Sequence, residues 1–345
     1  MCRTRRSSRC PPRTCEAGVS DPRAVPTGPD RAALVAHARD TIARGSKSFA
    51  AASRLFDRTT RERVWLLYAW CRACDDIADE QDLGGELGTT PGAAADERLA
   101  QIRRLTDLAM AGIPTGNPSF DALGVVAKEC GLTRAMAEDV IDGFALDAAD
   151  WTPRSEADLL RYCFHVAGAV GVMMAVVMGV APDDDDTLDR ACDLGLAFQL
   201  GNIARDMAED DRGGRCYLPA EWLAEADIPP GEQLRPSYRA ALVGVAKRLA
   251  ALAADYEASA RVGAARLGFR QRWAILSAAG IYGAIARKVA AGGPRVWDAR
   301  VFTSRSEKLG WVLRAGLQAL GRPAPCPHPR WSRTSLKARA RRQEA

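Results

Sequence analysis

The run Val166–Ala181, "VAGAVGVMMAVVMGVA", has no charged side chain over sixteen positions, and no other stretch constrains the fold as much. It is shorter than the roughly 20 residues that cross a bilayer as a helix. It ends at "PDDDD" (Pro182–Asp186) and lacks flanking basic anchors. The run therefore predicts a central helix that other helices enclose. Its Gly and Ala residues let neighbouring helices, or a long apolar ligand, approach closely. Asp183–Asp186 follows a proline and precedes a helix, where acids suit the N-terminal dipole.

The surrounding chain must then supply the enclosing helices, and its pattern agrees. Apolar residues recur with a 3.6-residue period, and alternating β-branched runs are absent. Gly and Pro punctuation at 81–92, 111–119, 151–155, 181–186, 211–219, 226–237 and 290–298 separates the periodic stretches. No repeat of 20–50 residues and no central linker is present. The reading is all-α: one domain over 30–320, a disordered basic leader at 1–29 and a flexible basic tail at 321–345. The leader has no apolar h-region. It is rich in Arg and Ser like a transit peptide, but also in Pro and Gly.

The formal net charge is +5, and it is uneven. Residues 1–30 hold six Arg against three acids, and residues 322–345 hold six Arg and one Lys against one Glu. The part between is mildly acidic, which excludes a nucleic-acid-binding core. Basic ends suit weak contact with anionic lipid. Ten Cys in a chain of this size, with no secretory signal, point to a reducing compartment. Cys71 and Cys74 form one CxxC without the second ligand pair that structural zinc needs.

Negative charge concentrates in "YAWCRACDDIADE" (Tyr68–Glu80). On a helix turning about 100° per residue, Tyr68, Arg72, Asp75 and Asp79 share one stripe, with Asp76 at its edge. A second stripe lies about 130 residues on, in "FQLGNIARDMAEDDRGGRCYLP", Phe198–Pro219. There Gln199, Asn202, Asp206 and Asp210 align, and "RGG" ends the helix. A single stripe reads equally well as a solvated face. Two D-x-x-x-D stripes point instead to hard divalent cations, because short carboxylates at i and i+4 hold an ion that keeps several waters. The ligand such a cluster fits is diphosphate, with Arg72, Arg205 and Arg215 neutralising the remaining charge.

Five motifs in this order closely resemble the squalene/phytoene synthase family: "GSKSF" (Gly45–Phe49), "YAWCRACDDIAD", "YCFHVAGAVGVMM" (Tyr162–Met174), "QLGNIARDMAEDDRGGRCYLP" and "ARVFTSRSEK" (Ala299–Lys308). The resemblance is greatest to bacterial phytoene synthases and covers about residues 31–325. It implies the all-α isoprenoid synthase fold, with a cavity between two aspartate-rich helices. It implies Mg²⁺, with Mn²⁺ as the alternative, on Asp75, Asp76, Asp79, Asn202, Asp206 and Asp210. Ser46, Lys47, Ser48, Phe49, Arg72, Gln199, Arg205, Arg215, Arg300 and Lys308 match substrate contacts. Tyr68, Tyr217 and Tyr282 match polar groups near the reacting carbons. Phe164 stands where many relatives have Tyr.

The implied reaction joins two geranylgeranyl diphosphates head to head through prephytoene diphosphate, without NADPH, in the cytoplasm or peripherally on a membrane. The nearest rival is the same scaffold acting on farnesyl diphosphate to give squalene, dehydrosqualene or hydroxysqualene. A head-to-tail prenyltransferase or terpene cyclase lacks "GSKSF" and "CYLP". A non-catalytic scaffold need not keep six ligand residues. A di-iron bundle wants Glu-x-x-His, and none of His37, His165 and His328 has Glu three positions before it.

Overall fold

The computed structural model describes residues 30–79, 92–149, 151–323, 325–326 and 332–337, and all regular structure among them is helical. Helix α1 (Arg31–Gly45) begins where Asp30 accepts the Ala32 amide. Ser46 caps the short α2 (Lys47–Ser53) through the Phe49 amide, and Asp57 caps α3 (Arg58–Ala78) through that of Thr60. Helices α4 (Gly92–Met110), α5 (Pro118–Cys130) and α6 (Arg134–Ala148) complete the N-terminal half. Here Val64, Leu66, Leu67 and Trp70 of α3 bury against neighbours that include Phe120 and Leu123.

The uncharged run is helical as far as Val177, in a continuous helix Glu156–Val177, and its last four residues, 178–181, leave the helix. That helix is built from α7 (Glu156–Cys163), a π-helical turn (Phe164–Gly168) and α8 (Ala169–Val177). Ser155 and Asp158 start it with a reciprocal capping box. Among the described residues two helices are long and apolar enough to cross a membrane, this one and Phe269–Ala291. The first is 72% buried over its most apolar window, as expected of a core helix.

Helix α9 (Asp185–Arg212) is the axis of the C-terminal half. It packs on α8, and after the short α10 (Ala220–Glu225) on α11 (Arg239–Ala264) and α12 (Phe269–Ala291). Contact between α8 and α9 requires glycine. A Cβ on Gly171 would lie 2.5 Å from the Ala191 carbonyl oxygen, and one on Gly195 would lie 2.3 Å from that of Ala167. The 3₁₀ turn Gly293–Asp298 leads to α13 (Arg305–Leu320), which packs on α12.

The acids at the start of α9 act as expected at a helix start: Asp184 accepts the Thr187 amide at 3.1 Å. They also hold the far end of the chain. Arg333 pairs with Asp185 and, at 3.0 Å, with Asp189, and Lys337 pairs with Asp139 of α6. Leu336 between them is 1% exposed. Residues 332–337, within the stretch read as a flexible tail, thus meet acids distant in sequence and bury Leu336. The leader 1–29 lies outside the described residues. Cys71 and Cys74 are free thiols, and burial pushes both up, so they remain protonated.

Candidate active site

A cavity of about 410 Å³ separates the two acidic helices. It follows α9 from Thr187 and Arg190 at one end to Gln199 and Asn202 at the other. At about 1.5 Å per residue, Thr187 to Asn202 spans roughly 22 Å. Asp206 and Asp210 continue the Asn202 stripe one and two turns beyond the cavity wall. On the opposite side Val64 lines the cavity, and Tyr68, Arg72, Asp75 and Asp79 continue its stripe along α3. Both polar stripes thus extend from the same end of one apolar slot.

The acids there are crowded. Asp75 keeps 48% of its side-chain surface open, yet protein around it pushes its carboxyl up to about 7. Burial is the main cause, and Asp79, Asp76 and Asp147 add repulsion. Burial and then Asp206 push Asp210 up to about 7, and burial also raises Asp79. Guanidiniums offset part of this charge. Arg72 pairs with Asp76 and lies 3.8 Å from Asp75. Arg205 and Arg300 both hold Asp206, the latter at 3.0 Å. Arg215 acts electrostatically on Asp79, Asp147 and Asp210.

Of the other candidates, Gln199 and Asn202 stand 3.5 Å apart on the cavity wall. Tyr282 stacks on Phe198 with ring centroids 4.4 Å apart, and both line the cavity. Phe49 also lines it and meets Tyr68 edge-on at 5.6 Å. Gly45 lies beneath that tyrosine, where a Cβ would lie 2.5 Å from the Tyr68 hydroxyl and displace the ring. Ser46 is the cap of α2. Lys47 and Ser48 belong to α2, and their side chains lie outside the described residues. Lys308 sits in the first turn of α13 and is not among the residues that line the cavity.

Sequence reasoning missed Asp147. It accepts hydrogen bonds from Tyr162 at 3.1 Å and Tyr217 at 3.2 Å. Those two rings stack at 4.8 Å, with Trp151 on the far face of Tyr162. Burial raises the Asp147 carboxyl, and Asp147 in turn acts on Asp75 from α3 and on Asp210 from α9. Burial and then the Asp147 charge push Tyr217 up to about 12, so it stays a neutral phenol. A signal was available: Val140, Phe144 and Asp147 share one face of α6, so this acid lies on the apolar side.

Among the described residues, no three His, Cys, Asp or Glu converge tightly enough to hold a metal ion by themselves. The donor set nevertheless fits Mg²⁺. It is all oxygen and amide, it is spaced along two facing stripes, and its charge is under-compensated. Mg²⁺ is commonly held by one or two carboxylates together with water and substrate phosphates, not by a complete protein cage.

An all-helical shell, an apolar slot and acids extending from one end of it define an enzyme of the prenyl-diphosphate-using class. Residues 42–307 match the squalene/phytoene synthase family, and the chain belongs to that family. It is 46% identical over 304 residues to a phytoene synthase of Pseudescherichia vulneris, covering 87% of this chain and 98% of that one. It is 47% identical over 287 residues to a 15-cis-phytoene synthase of Pantoea ananas, covering 83% and 92%. A crystal structure of a dehydrosqualene synthase in complex with ligand superposes with a TM-score of 0.72 at 27% identity, covering 83% of this chain and 96% of that one.

Proposed function

We infer that the chain is a phytoene synthase that condenses two geranylgeranyl diphosphates head to head. The observation that carries this reading is the apolar slot between two acidic stripes, in a chain 46–47% identical to bacterial phytoene synthases over most of both lengths.

In the first half-reaction the C1–O bond of one substrate breaks, and its electron pair leaves with diphosphate. The C2–C3 double bond of the second molecule attacks the allylic cation, and proton loss closes a cyclopropane, giving prephytoene diphosphate. In the second half-reaction that diphosphate leaves, the carbon skeleton rearranges, and a proton is lost to give phytoene. The product forms by proton loss and not by hydride addition, so NADPH is not required.

Asp75, Asp76, Asp79, Asn202, Asp206 and Asp210 would hold Mg²⁺, or Mn²⁺, which supplies positive charge to the leaving diphosphate. Arg72, Arg205, Arg215 and Arg300 bind diphosphate oxygens, for which Arg72, Arg205 and Arg300 exchange their present carboxylate partners. Tyr68, Tyr217 and Tyr282 stay neutral, because burial raises all three. They orient the reacting carbons and accept transient cation character without becoming nucleophiles. Phe49, Phe198 and the α8 side chains exclude water that would otherwise quench the cation. We assign the enzyme to the cytoplasm, in peripheral contact with a membrane.

The test uses purified protein with Mg²⁺ and labelled C15 or C20 diphosphate, without NADPH, and separates products by chain length. Conversion of the C20 substrate to a C40 hydrocarbon is expected. Preference for C15, with squalene formed only when NADPH is added, would overturn the reading.

A further inference from the structure

The C-terminal helical hairpin has an apolar face with no partner among the described residues. On α13, Leu309, Leu313, Leu317 and Leu320 are 60%, 62%, 74% and 75% exposed. At about 100° per residue they fall in one band about 80° wide. Other residues of the helix already make its contact with α12: Ala315 and Ala319 are buried, and Trp311 packs on Gly280. The leucines are therefore not core residues that turned outward. Two more exposed aromatics lie near its ends: Phe302, 71% exposed, precedes the helix, and Phe269, 48% exposed, opens α12, whose Arg272 meets the Gly321 carbonyl after α13.

The exposed charge beside the leucine band is basic. Arg305 and Arg314 flank the leucine band on its two sides, and both are exposed. Residues 266–323 contain eleven Arg and Lys against two acids, Asp298 and Glu307, and of the cations Arg266, Arg287, Lys288 and Arg300 pair with carboxylates of Asp184 and Asp186, Glu257, Glu307 and Asp206. Glu307 accepts from Lys288 and the Ser304 amide, and Asp298 pairs with Arg239. The mild acidity of the middle of the chain conceals this basic surface.

We propose that this face of α13 docks the protein on an anionic lipid bilayer, with the leucines entering the headgroup–acyl boundary and the arginines meeting phosphates. A second copy of the chain would also cover an apolar band, but it would bring the same arginines against each other. Docking deepens the functional reading and rests on it in one respect. Helix α12, beneath α13, gives Ile275, Ala278 and Ile281 to the cavity wall, so a C40 hydrocarbon would form beside the bilayer that must accept it. Within the described part of the basic tail, Arg333 and Lys337 are already paired with Asp185, Asp189 and Asp139.

Vesicle co-sedimentation tests this without turnover. The full chain is mixed with phosphatidylcholine vesicles, either alone or with about 30% phosphatidylglycerol. The wild type is expected to sediment with the anionic vesicles. Leu313→Gln/Leu317→Gln and Arg305→Gln/Arg314→Gln should each bind at least about tenfold more weakly. Both variants should keep wild-type circular dichroism and wild-type turnover of detergent-dispersed substrate. Three results overturn the proposal: wild type that stays in solution, leucine variants that bind like wild type, or a wild-type dimer that the leucine variant turns into a monomer. Wild type that turns over the C20 substrate but does not bind vesicles sinks only the docking. C15 preference with binding intact sinks only the substrate reading.

Discussion

Asp206 is held by two guanidiniums, whereas Asp75 and Asp210 are pushed up to about 7 by burial and by each other's neighbours. Acids in this state weaken the empty protein, which accords with the proposed role in holding a ligand. Asp75→Ala and Asp206→Ala are each expected to reduce turnover at least about 10²-fold. Asp75→Ala should not lower the melting temperature measured without metal, because it removes an under-compensated charge. Near-normal activity of either variant at saturating Mg²⁺ would refute the metal assignment. Asp193 gives a pH test away from the site. It is 2% exposed, Ser259 donates to it, and burial pushes it up to about 7. Between an unfolded value near 4 and this folded value the native state binds the extra proton. Stability should therefore be fully favoured by this group below about pH 4 and fall as pH rises toward 7, by at most about 1.4 kcal/mol per unit. Asp193→Asn should flatten that part of a urea-midpoint-against-pH curve. An unchanged slope would show that Asp193 is ionised throughout.

At the scale of elements, much of the fold was legible because its signals are local. Asp30 caps α1, Pro118 opens α5, and "RGG" ends α9 at Arg212. The two acidic stripes were legible for the same reason, since side chains one turn apart on a helix need no tertiary contact to align. Asp147 was not legible as a site residue, because its role depends on Tyr162 and Tyr217 arriving from elsewhere. Nor was the docking of residues 332–337, which depends on distant acids. The small residues of α8 were read only partly. Gly171 lines the cavity but also meets the α9 backbone, where a Cβ would lie 2.5 Å from the Ala191 carbonyl oxygen, so Gly171→Phe is expected to break helix packing and reduce C15 and C20 use alike. Ala175 and Met174 line the cavity, and Ala175→Phe tests tail length. A benzyl group in a dense wall costs typically about 1–3 kcal/mol of strain, part of which a shorter tail avoids. The kcat/KM ratio of C20 to C15 substrate should fall in Ala175→Phe. Equal losses on both substrates, with the fold intact, would mean that this wall does not measure tail length.

For the whole molecule, the question is where the working unit begins. Asp30 accepts the Ala32 amide, so the first turn of α1 is capped from within. Arg31 then bonds Glu129 of α5 and, at 2.8 Å, Glu62 of α3, while Arg63 reaches Glu129 at 2.9 Å. One turn after the cap, Leu34 is 4% exposed. The start of the domain is thus fixed to two other helices by its own residues. Truncation tolerance depends on which buried contacts and backbone hydrogen bonds are lost. Residues 1–28, "MCRTRRSSRCPPRTCEAGVSDPRAVPTG", show no apolar periodicity to bury. Deleting them, with Pro29 and Asp30 retained, is expected to leave kcat/KM within about twofold of the full chain and the melting temperature unchanged. The comparison is made on detergent-dispersed C20 substrate, which separates catalysis from contact with lipid. A shortened protein that melts normally but does not turn over would mean that the leader closes the site. One that melts early would mean that α1 draws stability from residues before its cap.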